Sequence, residues 1–139
     1  IEGPATRVRG LGLLDVTTTM SAHKRLNLST ATYDATGDTV SGYEIHIGET
    51  VGPDRDNGWL TLDGRREGAA SGNGRVKGCY LHGLFASDGF RASYMAGIGA
   101  PVQSLNYDAG VDATLDALAF HLETHLDVAA ILGLAETVP

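Results

Sequence analysis

In the stretch TVSGYEIHIGET, residues 39–50, Tyr43, Ile45 and Ile47 alternate with Glu44 and His46. A period of two marks a β-strand whose successive side chains point to opposite faces. The three large apolar residues are therefore expected on a core face and the two titratable ones on the other. Upstream, LGLLDVTTTM is rich in aliphatic and β-branched residues and predicts a strand over Leu13–Met20. Residues 21–39 mix Ser, Thr, Asn and Asp with single apolar positions, which predicts short strands and a turn at DATGD. VGPDRDNG reads as a mobile loop, GWLTLDG as renewed strand alternation, and EGAASGNGRVKGCYLH as a hairpin turning at Asn73–Gly74.

The period then lengthens to that of a helix. Ser87 or Asp88 is a cap for DGFRASYMAG, in which Phe90, Tyr94 and Met95 share a face and Gly97 or Gly99 ends the run. Val111, Leu115, Leu118, Ala119, Leu122 and Leu126 recur every three to four positions, predicting a long helix over Ala109–Leu126 behind an Asp108 cap. Asp127 is placed to cap a short helix through Leu132 that Gly133 closes. No repeat, low-complexity tract or inner domain boundary interrupts the 139 residues.

Composition narrows the partners. Ten Lys and Arg against 17 Asp and Glu give a net charge of −7, which argues against a nucleic-acid footprint and against anionic lipid. No apolar run approaches the roughly 20 residues of a membrane span, and the expectation is a soluble, cytoplasmic protein without membrane contact. A single cysteine, Cys79, supports neither an internal disulfide nor a zinc cage.

Candidate chemistry centres on histidines. In HLETH, His121 and His125 stand at i and i+4, but Glu123 is in neither position that a zincin or its inverted form requires. The glycine clusters RGLGLL and SGNGRVKG complete no phosphate-binding motif. In GCYLHGLF, His82 sits where a strand gives way to a helix start. It reads either as a catalytic base or as a structural histidine satisfied by the backbone. On a continuous strand Cys79 and His82 would diverge while Tyr80 and His82 converge, and bulky neighbours do not suit a nucleophile elbow, so Cys79 reads as a small buried hydrophobe. Glu44 and His46 fit a surface ion pair as well as a binding site.

The segments GLGLLDVTTTM, VSGYEIHIGET, EGAASGNGRVKGCYLHGLFASDGFR and LDVAAILGLA, in that order, resemble the C-terminal part of the cobyric acid synthase family. The resemblance implies the C-terminal portion of a flavodoxin-like, three-layer α/β class I glutamine amidotransferase domain, with residues 1–139 forming one partial domain. It implies that a cysteine thiolate attacks the glutamine amide and that the histidine of YLHG, His82 here, is the base. Tyr43, Glu44 and His46 are its candidate supporting or substrate-side residues.

Ordinary members of the class carry a glutamate two residues after this histidine, where Leu84 stands, so Glu44 is considered as a substitute orienter. The nucleophile's glycine-rich elbow lies upstream of the matched region, so these residues are expected to hold the base without the thiol and to be inactive alone. No cofactor is expected here. ATP and magnesium belong to a separate synthetase region that amidates corrin carboxylates, so the implied partners are glutamine, a corrinoid, the upstream half of the domain and the synthetase domain. The competing expectations are a small-molecule binding module without catalysis and a cysteine hydrolase using Cys79.

Overall fold

A computed structural model describes residues 7–102 and 106–135. The chain divides into two compact units, Ile1–Ser104 and Leu105–Pro139. The sequence shows no composition break there, because the division comes from how far contacts reach rather than from residue types. The first unit is built on pairings between distant strands, whereas the second is two successive helices.

The first unit is mixed α/β, in line with the α/β class. A long strand β1 (Thr17–Tyr33) pairs with β2 (Thr39–Val51), and β3 (Leu60–Leu62) and β4 (Arg65–Glu67) follow. A small hairpin of β5 (Ala69–Ala70) and β6 (Lys77–Gly78) comes next, then β7 (Leu81–His82) and helix α1 (Asp88–Gly97). The main sheet runs β4-β3-β1-β2-β7, with every pairing antiparallel.

β1 corrects two expectations. Residues 13–15 bend and the strand starts at Thr17, then continues unbroken through the polar stretch read as short strands. Its register on β2 shifts between Met20 and Arg25, so an irregularity in one long ribbon replaces a set of short pieces. The polar run survives as strand because every residue from Arg25 to Thr32 pairs with β2; Arg25, Asn27 and Ser29 take the Glu44 side of the sheet, and Leu26 and Leu28 the opposite side, Leu28 at 92% exposure. VGPDRDNG contains a 3-10 turn (Pro53–Asn57), tied down by Arg55 Nη1 donating to the Gly68 carbonyl at 2.6 Å. The primed-type turn falls at Asp63–Gly64, both at positive φ, joining β3 to β4. The Asn73–Gly74 pair lies in the longer loop of the β5–β6 hairpin, where only Gly74 has positive φ.

The core gathers Ala31, Tyr33, Val40, Leu60, Leu62, Leu81 and Phe90 on one face of the sheet. Phe90 reaches it from α1, whose N-cap position is Ser87, but the Ser87 hydroxyl accepts from the Ser41 amide rather than from its own helix. Tyr33, Trp59 and Tyr94 line the edge of this core and surround the Lys77 ammonium, which lies 5.4–5.7 Å from all three ring centroids. An ammonium over aromatic faces is held by their quadrupoles, and this contact ties the β5–β6 hairpin to the main core.

In the second unit, α2 (Tyr107–His125) starts at Asn106, whose side chain accepts from the Ala109 amide, so the cap lies two residues before the predicted Asp108. The short helix α3 (Val128–Gly133) is capped by Asp127 through the Ala130 amide, as its sequence predicts. Among the described residues no helix is long and apolar enough to cross a membrane.

Replacing Lys77 by Met keeps the aliphatic stem and removes the charge, and is expected to cost about 1 kcal/mol in urea unfolding. Lys77→Arg should cost less, and equal stability of Lys77→Met and wild type would show that the ring cluster does not hold the ammonium.

Candidate functional site

Strand β2 sorts the candidate residues onto two faces, in a phase opposite to the one its large apolar residues suggest. Val40 and Glu44 point into the core side, where Glu44 is only 4% exposed, and Tyr43 points out at 43%. The reason is electrostatic. Burying an ionised carboxylate is costly unless it is paired and hydrogen-bonded, and three elements deliver the pairs. Arg65 of β4 donates from Nη2 to Glu44 Oε1 at 2.9 Å and from Nη1 to Glu67 Oε2 at 2.9 Å. Arg25 of β1 lies 3.5 Å from Glu44, and Arg55 of the 3-10 turn lies 3.8 Å from Glu67. Glu67, 1% exposed, also accepts from the Tyr80 amide at 3.1 Å.

His46 completes this cluster. Its Nε2 is 3.2 Å from Glu44 Oε1, its Nδ1 is 2.7 Å from the Gly48 carbonyl, and its ring stacks on Tyr80 at 4.0 Å between centroids. The cluster lines an open polar cleft of about 670 Å³ that Lys24, Arg25 and Tyr80 also border. Among the described residues no buried side-chain nitrogen or oxygen there lacks a partner. Glu44 and His46 therefore form a mostly buried network rather than the surface ion pair that was one reading of them. Burial by itself would raise the Glu44 carboxyl, but hydrogen bonds from His46 and Arg65 and the charges of Arg65 and Arg25 outweigh it, and its pKa is lowered.

His82 stands on the other face. It is the last paired residue of β7, directly opposite Tyr43, and the two rings stack at 5.2 Å with planes 9° apart. The imidazole is exposed, and its Nε2 lies 3.3 Å from the Ile45 carbonyl oxygen. Of the candidate residues the fold thus brings Tyr43 to His82 and sets Glu44 and His46 on the far side of the sheet. Glu44 is not placed to orient His82. Leu84, where other members of the class carry a glutamate, packs against the core from a 3-10 turn (Leu84–Ala86).

Cys79 belongs with the core. It packs against the buried cluster, donates from Sγ to the Leu81 carbonyl at 3.4 Å, and its pKa is raised, first by burial and further by the Glu67 charge. A raised thiol is a poor nucleophile at neutral pH. Tyr80 and His82 do not converge as a continuous strand would require. Tyr80 lies outside the two-residue β7 and stacks on His46, so the alternation breaks before His82.

Two glycines escaped the reading of the sequence as site residues. A Cβ on Gly42 would come within 2.2 Å of the His82 carbonyl oxygen, so only glycine lets β7 lie this close to β2. Gly83, at φ +80°, turns the chain sharply out of the strand directly after the imidazole. The signal for Gly42 was its place beside Tyr43 in a strand interior, where a glycine often marks close backbone approach. His121 and His125 have ring centroids 4.5 Å apart, and no metal-binding cluster occurs among the described residues.

The Glu44 shift has a direct consequence for acid stability. A lowered folded pKa adds stability that is complete above the unfolded value, about 4.3, and is lost as the pH falls from there through the folded pKa. Thermal melts between pH 6 and pH 3 should show a falling midpoint, and Glu44→Gln should flatten the part of the slope below about pH 4.3; parallel slopes would remove Glu44 from the acid response. Arg65→Leu leaves two buried carboxylates short of a partner and is expected to cost about 3 kcal/mol at pH 7 in urea unfolding.

The profile of the CobB/CobQ-like glutamine amidotransferase domain matches residues 1–90, which include every residue of both faces described above. The chain is 54% identical over 139 residues to a cobyric acid synthase of Ruegeria sp. (strain TM1040), covering 100% of this chain and 29% of that protein. It is 55% identical over 135 residues to one of Rhodobacter capsulatus and 51% identical over 135 residues to one of Bradyrhizobium diazoefficiens, in each case over 97% of this chain and 28% of the relative. The chain thus spans somewhat over a quarter of the length of these relatives. No solved structure matches it significantly. The match over most of the strand-built unit, with its GYEIH strand and YLHG turn, establishes that the chain belongs to the CobB/CobQ-like glutamine amidotransferase domain family.

Proposed function

We propose that this chain supplies the histidine base of a glutaminase that feeds ammonia to the ATP-dependent amidation of corrin side-chain carboxylates, as part of a cobyric acid synthase. The observation that carries the reading is the state of His82: an exposed imidazole, fixed on one side and open on the other, at the end of a strand within the matched region. In this reading a cysteine thiol from outside the 139 residues gives its proton to the imidazole and attacks the side-chain carbonyl carbon of glutamine. The imidazolium returns the proton to the leaving amide nitrogen, ammonia departs, and water hydrolyses the remaining thioester to glutamate. Thiol and imidazole are regenerated, so the balance is glutamine plus water to glutamate plus ammonia.

Cys79 takes no part, since its thiol is raised and directed at the Leu81 carbonyl. ATP and magnesium act in the synthetase region, and no residue described above is assigned to them. The two buried carboxylates of the polar cleft, Glu44 and Glu67, are committed to Arg25, Arg55 and Arg65, which favours a structural role for them over a separate small-molecule site.

In a complete cobyric acid synthase carrying this chain, His82→Ala should reduce glutamine-driven amidation by about 10²–10⁴-fold, the usual worth of a general base. Amidation driven by added ammonium should persist, and retention of glutamine-driven amidation would remove His82 from catalysis. Gly42→Ala should imitate the loss in weaker form by displacing β7. Incubated alone with glutamine, the 139 residues should release no glutamate; turnover that Cys79→Ala abolishes would replace this reading by a self-contained cysteine hydrolase.

A further inference from the structure

We infer that the backbone carbonyl of Ile45 and the ring of Tyr43 together position the His82 imidazole, in place of the side-chain carboxylate that Leu84 cannot provide, and present Nδ1 as the nitrogen that exchanges the proton. The inference rests on the reading of His82 as the base, and it adds which groups orient it and which nitrogen works.

A carbonyl oxygen has no proton to give, so the 3.3 Å contact with Nε2 is a hydrogen bond only when Nε2 carries the hydrogen. In the neutral ring the lone pair then lies on Nδ1. Among the described residues nothing hydrogen-bonds to Nδ1. The carbonyl is accessible because pairing of β7 with β2 stops at Glu44 and Leu81, which leaves Ile45 one residue past the ladder. The short length of β7 thereby creates the acceptor that its own last side chain uses.

Tyr43 supplies the second constraint. With the two planes only 9° apart at 5.2 Å, rotation of the imidazole about its Cβ–Cγ bond would break the stack and the hydrogen bond together. A ring held in this way keeps one tautomer and one direction without a neighbouring negative charge. The phenol oxygen of Tyr43 has no part in the arrangement, so the flat ring and not the hydroxyl is the required feature. Gly83 follows at φ +80°, a conformation that favours glycine, and takes the chain away from the two rings.

Two measurements test this. With ¹⁵N-labelled histidine in the 139-residue chain above the imidazole titration, the signal that His82→Gln removes should show a proton on Nε2 that exchanges slowly enough to be observed. Tyr43→Ala should abolish that slow exchange and Tyr43→Phe should preserve it. A proton on Nδ1, or the tautomer mixture of a free imidazole, would overturn the inference. In the complete enzyme Tyr43→Ala should lower glutamine-driven kcat by about 10- to 100-fold, the scale on which a misplaced reacting group costs rate, with KM for glutamine little changed. Tyr43→Phe should restore the rate, and ammonium-driven amidation should be untouched by either. If Tyr43→Ala leaves kcat unchanged while His82→Ala abolishes it, the positioning role is wrong and the base assignment stands. A single Nε2–H tautomer together with full activity of His82→Ala would sink the base assignment.

Discussion

A single guanidinium sets the geometry of this domain. Arg65 bridges Glu44 and Glu67, two carboxylates with almost no contact with water, and the phase of β2 follows from that bridge. If Glu44 pointed outward, Tyr43 would point inward, and its cross-strand partner His82 would be buried with it, since residues opposite each other in an antiparallel ladder share a face. The ion cluster on one side of the sheet thus decides which side carries the imidazole. A one-residue slip would exchange the two faces completely, and a desolvated charge network is a strong barrier to such a slip because every misplaced carboxylate would lose its partners.

The sheet divides its work accordingly. One face holds the apolar core at one end and the charged cluster at the other, and both serve to fix the backbone. The opposite face carries His82, Tyr43 and the outward Leu26 and Leu28. Packing and ion pairs are concentrated behind His82 and the imidazole is left exposed in front of them, an arrangement suited to the base proposed above.

Much of this was legible in residue order, and the limits have physical causes. The extent of β2, the start of α1 and the Asp127 cap of α3 follow from local periodicity and capping chemistry, which act over a few residues. The inward phase of β2 did not follow, because alternation separates two faces without saying which is dry. The deciding partner, Arg65, lies 21 positions beyond Glu44. The continuity of β1 was hidden for a similar reason: its polar residues on the Glu44 side and its leucines on the opposite side invert the usual pattern. His82 was visible as a residue but its surroundings were not, since the Ile45 carbonyl has no letter in a sequence. The resemblance to cobyric acid synthases supplied the family, while which side chains meet on each face came from the fold.

β7 is only two residues long, and its location is borrowed from β2 through the opening that Gly42 leaves. The imidazole is consequently moored to β2, through the Tyr43 stack and the Ile45 carbonyl. A change at Leu84 or Phe90, which pack into the same core as Leu81, would therefore reach the imidazole from behind, whereas the turn that follows α1 is free to vary without disturbing it.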